Sequence, residues 1–421
     1  MKKNRYLYVL LSGLILILSS CVRTEESLFE ESAALRLNRA IANDRKLLSS
    51  ADNGWVMEYF PTNGSPGFVL LIRFDSSGIA SIAAKNEVTP MYDISTGTWN
   101  MIDDSGPVLT FDTYNAALHV FSDPNSGYGQ GLGIGLAGDY EFIIMNASET
   151  EFTLKGKKRG TNIRLYRFPE KKEWRSYFAD VNKVNALFNV NIPYLHLTVN
   201  GSRVMLTGGH SHIFNIETAS DYPVEIPFIV TDEGIRFAQP FETNGVSVQK
   251  FRLSDDGNSL WADENAIAKI ELPLPQEFFV ATLQTKKWAI DTTSAGLRGI
   301  IDSVYAGLNA VNRTLVQLDF RDLSDSVALA VQVKSTATGV TAIGRFYYSV
   351  KPTEDGIEFA YKGTSDTGGD VLRRLSGFSE LLQALDATFK IDSVNSTLNP
   401  SVLTLENTAD TSLWFVLKQR L

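Results

Sequence analysis

Short runs in which apolar and polar residues alternate, separated by turns of acidic residues and glycine, constrain this chain more than any other feature. Four such turns are Asp75-Ser-Ser-Gly78, Thr231-Asp-Glu-Gly234, Ser254-Asp-Asp-Gly257 and Glu354-Asp-Gly356. An alternating run is the pattern of a strand with one buried face. Glycine after acidic residues supplies the positive φ that a tight hairpin loop needs. The expected fold is therefore mainly β, α+β overall: tandem antiparallel β-barrel or sandwich domains, lipocalin-like at both ends, with linker helices.

Taken in order, the chain divides into five stretches. Residues 1–20 read as a signal peptide and 21–50 as a tether and helix. Leu28, Phe29, Leu35, Ile41 and Leu48 recur at near-helical spacing, and Asp52-Asn53-Gly54 ends that helix. Residues 51–170 form the first β domain, with strands expected at Phe68–Phe74, Val108–Phe111, Leu118–Phe121, Tyr140–Ile144, Glu151–Leu154 and Ile163–Phe168. Strands of this number and spacing match a small antiparallel barrel or sandwich. Residues 171–275 open on a helical stripe, Trp174 to Phe188, and continue as a middle β domain closed by Pro273 and Pro275. Residues 276–421 are expected to run β, helix, β from about Phe278, with helical faces at Leu297–Leu308 and Val371–Leu385. Their closing strands, Ala387–Ile391, Val402–Leu405 and Leu413–Leu417, echo the end of the first domain. Trp55 and Trp288 open the two domains alike, so a diverged duplication is the favoured reading.

The first twenty-one residues concern location. Lys2, Lys3 and Arg5 precede an apolar run from Leu7 to Leu18, then Ser19-Ser20 and Cys21, the only cysteine. A run this short does not span a bilayer, which takes about 20 apolar residues; the anatomy is that of a secretory signal. A cysteine at the cut marks a bacterial lipoprotein, acylated on Cys21. Several acyl chains hold a protein at a membrane where one would not. The expected location is the outer membrane, lipid-anchored, with Val22–Glu31 as an acidic tether. A formal charge of -9 argues against a nucleic-acid partner, whose phosphates are bound by Lys and Arg. With Cys21 acylated, disulfides, thiolate zinc sites and cysteine nucleophiles drop out.

Thr98-Trp99, the run Gly106-Pro-Val-Leu-Thr-Phe-Asp-Thr-Tyr-Asn115, Leu118-His-Val-Phe-Ser-Asp-Pro124, Gly138-Asp-Tyr-Glu-Phe142 and Pro227-Phe-Ile-Val-Thr-Asp-Glu-Gly234 carry a resemblance. Here the chain resembles the Bacteroidetes lipoproteins grouped as domain of unknown function 4302. The resemblance implies a setting beside outer-membrane uptake systems of the SusC/SusD type, often with a zinc metallohydrolase lipoprotein. It implies partners among the outer-membrane transporter and neighbouring lipoproteins, and it transfers no catalytic residue.

Few residues suggest chemistry. Gly133-Ile-Gly-Leu-Ala-Gly138 matches G-x-G-x-x-G but leads into a strand, whereas a dinucleotide site needs a helix there. At strand period, Gly127, Gly129, Gly131, Gly133 and Gly135 would leave one face bare, open to another backbone or to a ligand. A binding groove would then use Trp99, Tyr128, Gly131, Gly133, Gly135 and Tyr140, at the mouth of a barrel. His196, His210 and His212 could meet as a three-histidine metal site, set against the plainer reading that Gly208-Gly209 makes a solvated turn. H-E-x-x-H, the G-x-S-x-G elbow and a phosphate loop are not found. No catalytic residue and no cofactor is assigned. The expectation is a non-enzymatic ligand- or partner-binding accessory of an uptake system. A metal-dependent hydrolase and a structural subunit of a transporter are the alternatives.

Overall fold

The computed structural model describes residues 31–420 apart from 86–91, 105, 127–132, 134, 219–220, 263–266 and 323–325. Cys21, Tyr128 and Gly131 lie outside the described residues. Among the described residues, twenty-four strands form three eight-stranded antiparallel arrays, each preceded by a helix.

The first array follows a helix at Ala33–Ser49 and comprises β1 (Trp55–Tyr59), β2 (Phe68–Phe74), β3 (Ile79–Ala84), β4 (Ser95–Asp103), β5 (Pro107–Phe111), β6 (Glu141–Ala147), β7 (Glu151–Gly156) and β8 (Asn162–Arg167). Each strand pairs with its neighbour in sequence, and β8 returns to β1 to close a barrel. Trp55, Met57 and Tyr59 point inward and are fully buried. Trp55 meets Phe152 edge-on at 5.1 Å and donates from its indole Nε1 to the Leu48 carbonyl at 2.8 Å, seating the helix on the barrel. Phe111, Phe142, Leu154 and Leu165 fill the same interior. The barrel is thus a packed core, as eight strands allow.

Leu118–Phe121, expected as a strand, is instead a short helix, Ala116–His119, running into a turn. Asn115 caps it by accepting from Ala117 N at 3.1 Å; N-cap residues of this type start helices whatever the alternation that follows.

All five residues of β1 are buried, because its outward side chains are covered as well. Val56 and Phe60, with Val69, Leu71 and Ala83, join a core continuous with the second array, through the helix Trp174–Asn185. The buried Glu58 lies opposite Arg164 on β8 and pairs across the junction with Arg236 at 2.6 Å. The outer face of the first array therefore packs into the core of the second, while its interior is a core of its own.

The second array comprises β9 (Leu195–Val199), β10 (Ser202–Leu206), β11 (Ile213–Ile216), β12 (Val224–Val230), β13 (Gly234–Thr243), β14 (Val246–Leu253), β15 (Ser259–Ala262) and β16 (Ala268–Glu271). Here β16 returns to β9, as β8 does to β1. The ring is breached between β10 and β11, where only the Thr207–Asn215 bridge joins the two sides. The middle domain has the same meander as its neighbours with one seam nearly open.

The third array has its own core. It comprises β17 (Lys287–Thr293), β18 (Arg313–Asp322), β19 (Val327–Ser335), β20 (Thr341–Thr353), β21 (Gly356–Gly363), β22 (Thr388–Ser393), β23 (Val402–Asn407) and β24 (Trp414–Arg420), and closes through β24 on β17. It begins with a helix, Pro275–Thr282, where a strand near Phe278 was expected; Pro275 stands at the helix start, a position proline favours. Trp288 on β17 donates to the Thr282 hydroxyl at 3.1 Å, as Trp55 does to the helix before its own barrel.

Candidate functional site

One hollow with room for a ligand lies between the first two barrels, and its cause is local. On β12, Thr231 N donates to Gly234 O, and Phe228 N donates to His212 O on the opposite side. By strand alternation, the main-chain groups of Ile229, Pro227 and Glu225 face β13. Pairing with β13 nevertheless stops at Phe228–Phe237. Continued by two and four residues, the register would set Pro227 against Ala238 and Glu225 against Pro240. Each of those pairs lacks one N–H, and a proline cannot donate to the ladder. The arms Val224–Pro227 and Ala238–Phe241 accordingly separate, and the pairing of β13 with β14 slips between Arg236 and Phe241.

The gap is a cleft of about 470 Å³, within the range of small-ligand sites. Three other hollows, of about 190, 140 and 120 Å³, are smaller. Phe60, Ile226, Pro227 and Phe241 make an apolar floor, while Asn63, Asn162, Gln239 and Glu225 stand exposed at the rim. Those four rim side chains make no hydrogen bond among the described residues, and Glu225 is the one ionisable group in the lining. The buried Thr161 hydroxyl in the same wall also lacks a partner there. The first barrel's contribution is held in place. Ser65 donates to Thr62 O at 2.8 Å, and Gly67 N donates to Phe228 O at 3.0 Å. A side chain on Gly67 would overlap Ile229 and Phe60, so glycine permits the close approach.

Trp99, Gly133, Gly135 and Tyr140, the described residues of the groove expected at the mouth of the first barrel, have separate surroundings. Trp99 is a core residue, 2% exposed, with its Nε1 donating to Asp75 O at 3.1 Å. Tyr140 is exposed and stacks on His119 at 5.1 Å. Burial lowers the pKa of His119, whose Nδ1 accepts from Asn115 N at 3.0 Å. Gly133 and Gly135 lie in a turn rather than in a strand, both with positive φ. A side chain on Gly135 would strike the Asp123 carbonyl, and one on Gly138 would strike the Tyr59 hydroxyl. The glycine spacing thus serves turn geometry and the approach of buried Tyr59.

The histidines also part company. His196, on β9, sets Nε2 3.3 Å from Glu277 Oε2, beside Arg203; burial first and Arg203 second lower its pKa. His210 is exposed in a single helical turn. His212 places Nε2 2.7 Å from Asn185 Oδ1 and packs its ring against Phe228. Among the described residues, no group of three His, Cys, Asp or Glu side chains could hold a metal ion. The metal-site reading of the three histidines is corrected by this placement.

The cleft residues were missed in the sequence, although Pro227 and Pro240 were its signal. Two prolines inside apolar alternating runs mark where a ladder must break.

Fold and site together define a tandem-barrel protein with a cleft between barrels rather than inside one. The chain matches the family model "Domain of unknown function (DUF4302)" over residues 25–255, more than half its length, and belongs to that family. No curated protein matches it. Solved structures similar over 91% of the chain include a putative DNA polymerase III beta subunit from Eubacterium rectale (8% identity, 98% of that chain, TM-score 0.15). A DNA polymerase sliding clamp from Bacillus subtilis is also similar over 91% of the chain (9% identity, 97% of that chain, TM-score 0.14). At these TM-scores neither likeness carries an argument about fold or function.

Proposed function

We propose that this protein is a non-enzymatic binding accessory of a SusC/SusD-type nutrient uptake system, tethered to the outer membrane through acylated Cys21 and holding its ligand or partner in the cleft between the first two barrels. The observation that carries the reading is the cleft itself: an apolar floor, free amides at the rim, and walls contributed by two barrels packed on one apolar junction. Such a combination orients a ligand through a few polar groups over apolar contact. The lipoprotein signal and the family resemblance support the location and the uptake setting.

The test is purification of the full chain from detergent-solubilised membranes of cells that make it, beside a Gln239→Trp variant that obstructs the cleft. A molecule or membrane protein should accompany the wild type and be lost from the variant. Equal recovery from both, or nothing bound to either, would overturn the reading. Replacing Cys21 with serine should move the protein to the soluble fraction; continued membrane retention would sink the anchor.

A further inference from the structure

We infer that the occupant of the cleft is an extended polypeptide segment with a basic side chain, which adds as a strand to the edge that β12 leaves open. This rests on the cleft being the binding site and goes further by naming the chemistry of what fills it.

The hydrogen-bonding pattern leads to this class. Between Val224 and Pro227, β12 has neighbours on the β11 side only. Toward the cleft it presents the Glu225 N–H and C=O and the Pro227 C=O, with no partner strand to meet them among the described residues. Opposite, Ala238 is displaced, and Pro240 has no N–H to give. Glu225 is exposed and Pro227 half-buried, so water can meet these groups in the free protein and an incoming strand would take its place. One donor followed by two acceptors along an extended edge is what another extended chain complements, the mode by which sheets take up peptide strands. A proline at 227 also limits how far a strand of this protein can pair there, so the vacancy is short, about two residues of ladder.

The side chains add selectivity. Phe60, Ile226 and Phe241 form an apolar seat below the edge, suited to one or two apolar side chains on the inward face of an incoming strand. Glu225 is the sole ionisable group among the lining residues, and the remaining rim is amide. Lysine or arginine on the outward face therefore gains an opposite charge, whereas a carboxylate meets a like one. A neutral sugar could use the amides but would leave the main-chain edge largely unmatched.

The experiment uses the full chain and fluorescence anisotropy with a labelled heptapeptide, Thr-Lys-Val-Lys-Val-Lys-Thr. Three comparisons accompany it: the same peptide N-methylated at alternate residues, the Glu-for-Lys peptide, and maltoheptaose as competitor. The lysine peptide should bind, and N-methylation should weaken it about tenfold, the loss of one or two main-chain hydrogen bonds. The Glu peptide should bind more weakly, with the order reversed in Glu225→Lys. Gln239→Trp should abolish binding at an unchanged melting temperature, and Asn63→Trp serves as an independent obstruction should the first variant fold poorly.

Equal binding of the N-methylated peptide, indifference to Glu225→Lys, or displacement of the bound lysine peptide by maltoheptaose would each overturn the inference. A cleft-dependent companion recovered from membranes while the peptides fail would refute the strand mode alone. Loss of both would remove the cleft as a site.

Discussion

The Glu58–Arg236 pair offers the sharpest test of how the first two barrels are joined. Glu58 is 3% exposed and 2.6 Å from Arg236, whose guanidinium also lies over Phe60 at 5.7 Å. Glu58→Leu leaves Arg236 facing an apolar junction. Breaking a buried pair from one side costs roughly 3–5 kcal/mol. The low end, about 3, applies here because Arg236 keeps some contact with water and the Phe60 ring. For a unit of this size each kcal/mol moves the midpoint by roughly 2–4 °C, so the single variant should melt about 6–12 °C lower. Glu58→Leu with Arg236→Met should return to within about 1 kcal/mol of wild type, since a buried ion pair replaced by apolar side chains of similar volume is often neutral. Arg164 does not confuse the comparison, as it keeps Glu151 at 2.9 and 3.1 Å. Urea titrations of both single variants and the double variant measure the coupling. The reasoning fails if Glu58→Leu costs under about 1 kcal/mol, or if the double variant costs the sum of the singles.

Other expectations follow from the same structure. Burial, with Lys85 and His210 adding positive charge nearby, takes His212 from 6.5 down to about 4. A group whose neutral form the fold prefers contributes stability above pH 6.5 and loses it as pH falls toward 4. His212→Asn, which keeps a residue tolerant of the left-handed φ, should flatten that slope in pH-dependent denaturation; an unchanged slope rejects the assignment. Gly138→Ala should cost roughly 1–3 kcal/mol by overpacking against Tyr59. Adding Tyr59→Phe should make the pair cost less than the sum of the two changes, and additivity would show that the hydroxyl is not what the glycine accommodates. Calorimetry should resolve a separate transition for the third barrel, whose core is distinct, and one cooperative transition for the first two; a single transition for the whole chain would contradict this.

Much of the β content is legible because alternation and hairpin glycine act locally. β2, β7 and β8 lie where their residues indicate, and the turns at Gly78 and Gly257, both with positive φ, join consecutive strands, whereas Gly234 opens β13 without a positive φ. Leu118–Phe121 misleads because four residues alternate by chance, while the decisive signal, the Asn115 cap, precedes them. Phe278 misleads for a related reason: an aromatic pair suits a strand until Pro275 is read as a helix start. Burial of Trp99 could not be read from its pattern, since an inward aromatic fills a closed barrel as readily as it lines an open one. The cleft depends on which residues of β12 and β13 would have faced each other, a pairing visible only once register is known.

The breached seam and the splayed pair lie on either side of one hairpin. β11 and the first half of β12 are joined to each other, to β10 by one bridge, and to β13 only beyond Phe228. β11 and Val224–Pro227 are held by fewer ladder hydrogen bonds than strands paired on both sides, and the stacked rings of Phe214 and Phe228, 4.4 Å apart, fasten them. The middle ring is thereby fastened at one seam by a single bridge, a clasp in place of the full strand pairs by which the first and third rings close.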